Sequence, residues 1–227
     1  MALERVRQWL RRRKKQEAPA AREKMLSVVI TLPEEFPGEH QVAAELLAAG
    51  LWRFHLRKPQ WPAERLREWI RAFPEQFCNR LVVHAHAALA AELRIGGVHL
   101  RTGQQRERHW PAEMGISTSC HSFGELLASA KGAAYATLGP VFPSISKENH
   151  APQRTTEEHA VIIQRWRAEE GRCPLIALGG ISPSNVAQTQ ALGFDGIAVV
   201  GTIWQAENPL KTFHQLREHW TAAKKTA

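Results

Sequence analysis

The sequence predicts an α/β fold, a single (β/α)8 barrel of the TIM type behind a basic N-terminal extension. Three observations predict it. Eight short runs rich in β-branched and apolar residues recur along the chain. Stretches of helical periodicity separate most of them, the pattern of a parallel sheet joined by crossovers. The whole alternation takes about 200 residues, the small end of the barrel range.

In order, the strand-like runs are 26–31, 51–56, 80–84, 97–100, 115–119, 134–138, 174–178 and 196–200. The helix-like stretches are 39–49, 62–72, 85–94, 122–131, 155–169, 183–192 and 209–223. The interval 101–114 is polar and short, and its helix is the weak link. A doubly wound open sheet is the competing architecture. It carries a glycine-rich turn after its first strand, whereas Thr31-Leu32-Pro33-Glu34 stands there.

Residues 25–227 are assigned to the barrel. Residues 1–24 hold nine Lys/Arg against three Glu, and so +6 of the net +8. The basic character belongs to this extension, whose simplest reading is a solvated segment, and nucleic-acid binding is not expected of it. Met25 directly precedes the first strand-like run and is an alternative start. Cys78, Cys120 and Cys173 are far apart and form no C-x-x-C pair, which argues against a disulfide framework or a zinc knuckle. No apolar run is long enough for a membrane span, and the first residues lack a signal-peptide core. A reduced, cytoplasmic protein is the expectation. Trp61, Trp69, Trp110 and Trp166 are the candidates for a homo-oligomer interface, although single aromatics on helices are usually packing groups.

Barrel chemistry sits where strands end and βα loops begin. Gly179-Gly180-Ile181-Ser182-Pro183 follows the seventh run and Gly201-Thr202-Ile203 the eighth. Glycines let a backbone approach an anion closely, and loops seven and eight are the recurrent phosphate site of this architecture. Strand parity places Trp52, Phe54 and Leu56 on the helix side. It aims Arg53, His55 and Arg57 into the barrel, with His84 and His99 in or near the lumen. His121 follows the fifth run in Ser119-Cys120-His121-Ser122, where Ser122 also suits a helix cap. His84-Ala85-His86 invites a metal reading. Without nearby carboxylates the preferred assignment is one imidazole in the lumen and one at a helix start, with no metal. After the sixth run, Ser144, Ser146 and Lys147 are spaced to grip an oxyanion.

Several of these segments together resemble the thiamine-phosphate synthase and TenI-like family. They are Gly97–Leu100, Ser119–Ser122, Gly139–Lys147, Ala177–Pro183 and Asp195–Ile203. The resemblance runs from residue 26 to about 220 and implies a (β/α)8 fold with a thiazole phosphate at loops seven and eight. It implies one of two activities. The synthase joins a pyrimidine diphosphate to the thiazole phosphate, expelling diphosphate with Mg²⁺. The tautomerase moves a proton on the thiazole phosphate carboxylate with a histidine and no metal.

Family synthases end the third strand in an Asn-Asp-Asp-like run, where this chain has His84-Ala85-His86. They carry an aspartate soon after Gly-Val-His-Leu, where Arg101-Thr102-Gly103 follows here. They end the second strand in Gln-x-Arg-Glu-Lys, and here it is His55-Leu56-Arg57-Lys58-Pro59. These departures rank a metal-free tautomerase first, with His121 as acid/base beside Arg57 and Lys147. His55, Ser144, Ser146, Gly179, Gly180, Gly201 and Thr202 would hold phosphate or carboxylate. A divergent synthase, with Arg57, Lys58, Arg101 and Lys147 replacing the metal site, is the alternative and alone calls for Mg²⁺. A non-catalytic thiamine-phosphate binding protein is the third reading.

Overall fold

Parallel pairing runs around the whole ring, so that β1(Leu26–Ile30), β2(Arg53–Leu56), β3(Leu81–Val83), β4(Gly97–Leu100), β5(Gly115–Cys120), β6(Tyr135–Leu138), β7(Leu175–Leu178) and β8(Gly196–Val199) close a barrel in chain order. The computed structural model describes residues 25–107, 110–111, 114–143 and 154–225. The basic extension 1–24 and Ser144, Ser146 and Lys147 lie outside them. Closure is direct, with Val28 of β1 opposite Arg53 of β2 on one side and Ala198 of β8 on the other.

The helices are α1(Glu39–Ala48), α2(Ala63–Arg71), α3(Ala87–Glu92), α4(Phe123–Ser129), α5(Thr156–Ala168), α6(Val186–Ala191), α7(Gly201–Trp204) and α8(Pro209–Lys225), with a 3₁₀ turn at Glu75–Arg80. The described part of 101–111 forms no helix, and Trp110 is tucked into the core. The strands are short, and their outer faces are covered by apolar packing under the helices.

Alternate residues of each strand face opposite ways, and the two sets separate cleanly. Outward residues such as Val29, Phe54, Leu56, Val83, Val98 and Leu138 pack under the helices. Val28, Ile30, Tyr135, Ile176 and Ala198 form a second, interior cluster. Trp52 departs from its expected outward face. It packs against the interior cluster, its ring 4.8 Å from that of Tyr135. Pairing in β2 starts at Arg53, so strand alternation does not govern Trp52.

Of the two roles open to the four tryptophans, the structure shows packing. Trp61, Trp110 and Trp166 are buried, and Trp69 stacks on Phe73 at 5.0 Å. Asp195 holds the β7–β8 junction, accepting from the Leu175 amide at 2.8 Å and from Arg167 at 2.7 Å. All three cysteines are free thiols. No described helix is long and apolar enough to cross a membrane.

Candidate active site

The barrel interior is chemically two-sided. Strands β1, β7 and β8 contribute Val28, Ile30, Ile176 and Ala198. Strands β2 to β6 contribute His55, His84, His99, Ser117, Ser119 and Tyr135, joined by hydrogen bonds. His55 Nδ1 lies 3.0 Å from His84 Nε2, and His55 Nε2 meets the Tyr135 hydroxyl. The two nitrogens of His99 each bond a serine of the neighbouring strand, Ser117 and Ser119, at 2.8 Å.

Above this floor, at the C-terminal ends of the strands, opens a cavity of about 480 Å³. That is ample for a ligand of metabolite size. Arg57, Arg101, His84, His99 and Ser119 line one side, and Gly179–Ile181 with Ala198–Thr202 line the other. Ile30, Leu32, Phe142 and Leu178 add apolar wall.

The glycine turn after β7 is built to present backbone. Gly179 and Gly180 have φ of +100° and +62°, and a Cβ on Gly180 would sit 2.2 Å from the Pro143 carbonyl oxygen. Asn185 locks the turn, donating to Gly180 O at 2.9 Å and accepting from the Ser182 amide at 2.8 Å. The Thr202 hydroxyl donates to Ile181 O, tying the β7 and β8 loops together. On the opposite wall Thr31, just beyond β1, accepts from the Arg57 amide at 2.9 Å and fixes the backbone from which that guanidinium projects.

The predicted site residues do not all converge. Arg57, Gly179, Gly180, Gly201 and Thr202 line the cavity together. His55, expected to bind substrate, is instead sealed beneath it. Its ring is fully buried, 5.1 Å from those of both His84 and His99. In register with Val82 on β3, it lies below the mouth, where His84 and His99 intervene.

His121 sits exposed at the end of β5 rather than on the cavity wall. Ser122 caps α4 by accepting from the Glu125 amide, and Glu125 in turn accepts from the His121 amide at 2.7 Å. The Nδ1–H of His121 donates to Gly139 O at 2.6 Å, which leaves Nε2 outside that bond. Lys58 borders the cavity, but its ammonium is committed to Glu39 at 2.7 Å and to Glu34 O at 2.6 Å. Sequence reasoning missed Tyr135 and Ser117; of the histidines it brought toward one barrel mouth, His84 and His99 reach the cavity and His55 does not. The alternation that aims β2, β3 and β4 inward was legible, but the register that sets His84 and His99 side by side above His55 was not.

Burial, and then the neighbouring His84 and His99, hold the His55 pKa well below the ordinary imidazole range. Burial, His99 and the Arg57 and Arg101 guanidiniums do the same to His84. Burial alone pushes His99 down to about 4. In the unfolded chain these groups take up protons near pH 6.5, and in the folded chain they do not. Their contribution therefore leaves stability unchanged above about pH 6.5 and erodes it as pH falls toward 4. For His99 alone the loss by pH 5 is about 2 kcal/mol, and the other two act in the same direction. Urea unfolding of chelator-treated protein should show a clearly lower midpoint at pH 5 than at pH 7. An unchanged midpoint would mean that the cluster already carries a proton at neutral pH.

The Mg²⁺ implied by the resemblance takes oxygen ligands, chiefly carboxylates. No described residue lining the cavity carries a carboxylate. These residues do not fit that ion, and their charge is cationic.

Comparison with known proteins adds relatives to this geometry. Residues 28–203 match the profile of a family described as thiamine monophosphate synthase. A thiamine-phosphate synthase of Anoxybacillus flavithermus is 35% identical over 168 residues, 71% of this chain and 73% of that protein. One from Laribacter hongkongensis is 31% identical over 192 residues, 79% and 86% of the two chains. The solved thiamine phosphate pyrophosphorylase of Pyrococcus furiosus superposes with a TM-score of 0.74 at 25% identity, covering 89% of this chain and 98% of that one. That of Bacteroides thetaiotaomicron does so with a TM-score of 0.66 at 29% identity, covering 89% and 96%.

Proposed function

We propose, from the premise that this chain belongs to the thiamine monophosphate synthase family, that it is a transferase of thiamine biosynthesis joining a pyrimidine diphosphate to a thiazole phosphate. The observation that carries this reading is the pairing of two anion-attracting walls across one cavity. Glycine turns face it from β7 and β8, and Arg57 and Arg101 face it from β2 and β4. The similarity to thiamine-phosphate synthases supports the same assignment.

In this reading the glycine turns and the Thr202 backbone amide hold the thiazole phosphate, as backbone N–H groups hold phosphates elsewhere. Arg57 and Arg101 gather the diphosphate. A carbon–oxygen bond breaks with its electron pair leaving on diphosphate, and the thiazole ring supplies the pair for the new bond. Planar guanidiniums match phosphate oxygens two at a time and stabilise the charge as it develops. Ile30, Leu32, Phe142 and Leu178 exclude water from the electron-poor carbon. Ser144, Ser146 and Lys147 remain proposed oxyanion ligands on sequence grounds.

A proton shift with His121 as base is the second reading. The free Nε2 of His121 and the absence of carboxylates among the described lining residues favour it. One assay separates the two. With both substrates supplied, diphosphate and thiamine phosphate should form, and turnover should depend little on Mg²⁺ and survive His121→Ala. Isomerisation of the thiazole phosphate carboxylate that is lost in His121→Ala, with no diphosphate released, would replace the transfer reading with the isomerase. Ligand binding with neither reaction would leave a binding protein.

A further inference from the structure

We propose that His55, His84 and His99 form a binding site for a late first-row divalent cation, Zn²⁺ by preference, with its open coordination position facing the cavity. No metal was expected of this chain from its sequence, and His86 plays no part. His86 starts α3, its Nε2 3.1 Å from Trp61 O. The partners of His84 come instead from the strands on either side.

The geometry is that of a convergent triad. The three ring centroids are 5.1, 5.1 and 4.5 Å apart, and one nitrogen from each ring lies within 4.8 Å of the others. The closest pair, His55 Nδ1 and His84 Nε2, is separated by 3.0 Å. Two ligands of a tetrahedral zinc ion lie about 3.3 Å apart. His99 has to move in by a small rotation, exchanging its bond to Ser119 for one to the metal.

The outer groups are already in place. Histidine ligands normally direct the other ring nitrogen to a fixed partner, which orients the ring and selects the tautomer. His55 Nε2 meets the Tyr135 hydroxyl, and His99 Nδ1 meets the Ser117 hydroxyl at 2.8 Å. The nitrogens left over are those that converge. Metal binds the neutral form of imidazole. Transfer of the His84 proton from Nε2 to Nδ1 frees the third lone pair without net proton release.

Ligand chemistry selects the ion. Three imidazoles with no carboxylate suit zinc and its neighbours and disfavour Mg²⁺ and Ca²⁺, which require oxygen. His84 and His99 line the cavity, whereas His55 lies below them. Three protein ligands with a fourth position toward a ligand cavity is the arrangement of metal sites that engage substrate rather than merely staple a fold.

The test uses tag-free full-length chain, stripped with a chelator and titrated with Co²⁺ and then Zn²⁺, with no substrate present. Its failure therefore leaves the transfer reading untouched. We expect one Co²⁺ per chain, a visible ligand-field spectrum of low coordination number, displacement by Zn²⁺, and a Tm that rises with Zn²⁺. His84→Asn and His99→Asn should each weaken binding by roughly 100-fold or more, and Tyr135→Phe by roughly 10- to 100-fold. His86→Asn should bind as the wild type does. Far-UV circular dichroism checks folding, and Tyr135→Phe, which keeps the ring shape, decides the matter where a histidine variant fails to fold. No spectrum in the wild type, or one that persists in the folded variants, overturns the site and leaves a hydrogen-bonded polar core.

Discussion

Replacing Arg57 by alanine is expected to slow diphosphate release by roughly 100- to 1,000-fold, the usual cost of deleting one preorganised donor to developing charge. Arg57 lines the cavity, and its backbone is held by Thr31. No described lining residue is a carboxylate that would hold a metal, and in the proposed transfer the guanidiniums would carry the leaving group's charge. The loss should fall mainly on kcat, because the negative charge on the departing oxygen is greatest in the transition state. Arg57→Lys restores a point charge but not the planar fork, and should recover only part of the rate. Steady-state kinetics of diphosphate release against both substrates checks this. An effect confined to KM would place Arg57 in ground-state binding and remove it from the chemistry.

Lys58→Met is expected to lower stability by about 3–5 kcal/mol, the cost of leaving a buried charge without its partner. Lys58 and Glu39 are 2.7 Å apart and almost wholly inaccessible, with side-chain exposures of 0% and 4%. Burial already raises the Glu39 pKa against the lowering effect of Lys58. Removing the lysine raises it further. A carboxyl whose folded pKa lies above its unfolded value loses stability as pH rises through that window. The deficit of the variant relative to wild type should therefore be largest near neutrality and narrow on acidification toward pH 4.5. Denaturant unfolding of both proteins at several pH values measures it. The double variant Lys58→Met/Glu39→Leu should recover most of the loss, since a packed apolar pair often replaces a buried ion pair at little cost. A single variant as stable as wild type would show that water reaches Glu39.

These two residues are adjacent in sequence and opposite in use. The spacing that aims Arg57 into the cavity was legible, and so was a cluster of cations after the second strand. That Lys58 folds back onto Glu39 while Arg57 does not was beyond the sequence. A long flexible side chain goes to whichever buried carboxylate tertiary packing brings near, and Glu39 comes from α1, across a crossover. The histidines teach the same lesson. Each was placed inward by alternation, but His55 as a binding residue proved wrong. Depth along a strand depends on barrel stagger, which no single strand encodes. His121 was read as a catalyst from its setting between Ser119 and Ser122, and part of that setting is a helix cap.

Sequence by itself determined the barrel, the ends of its strands and of every helix but the short Gly201–Trp204 to within a few residues, the family, and the glycine turns on β7 and β8. Each of these is written locally, in apolar periodicity, in turn residues or in a short motif. Only the tertiary structure decided what faces the cavity together. It joined Arg57 and Arg101 into one cationic wall, withdrew Lys58 into an ion pair, and gathered three imidazoles beside Tyr135. Those groupings arise between strands that meet by register and closure, and that register is an outcome of packing the whole ring at once.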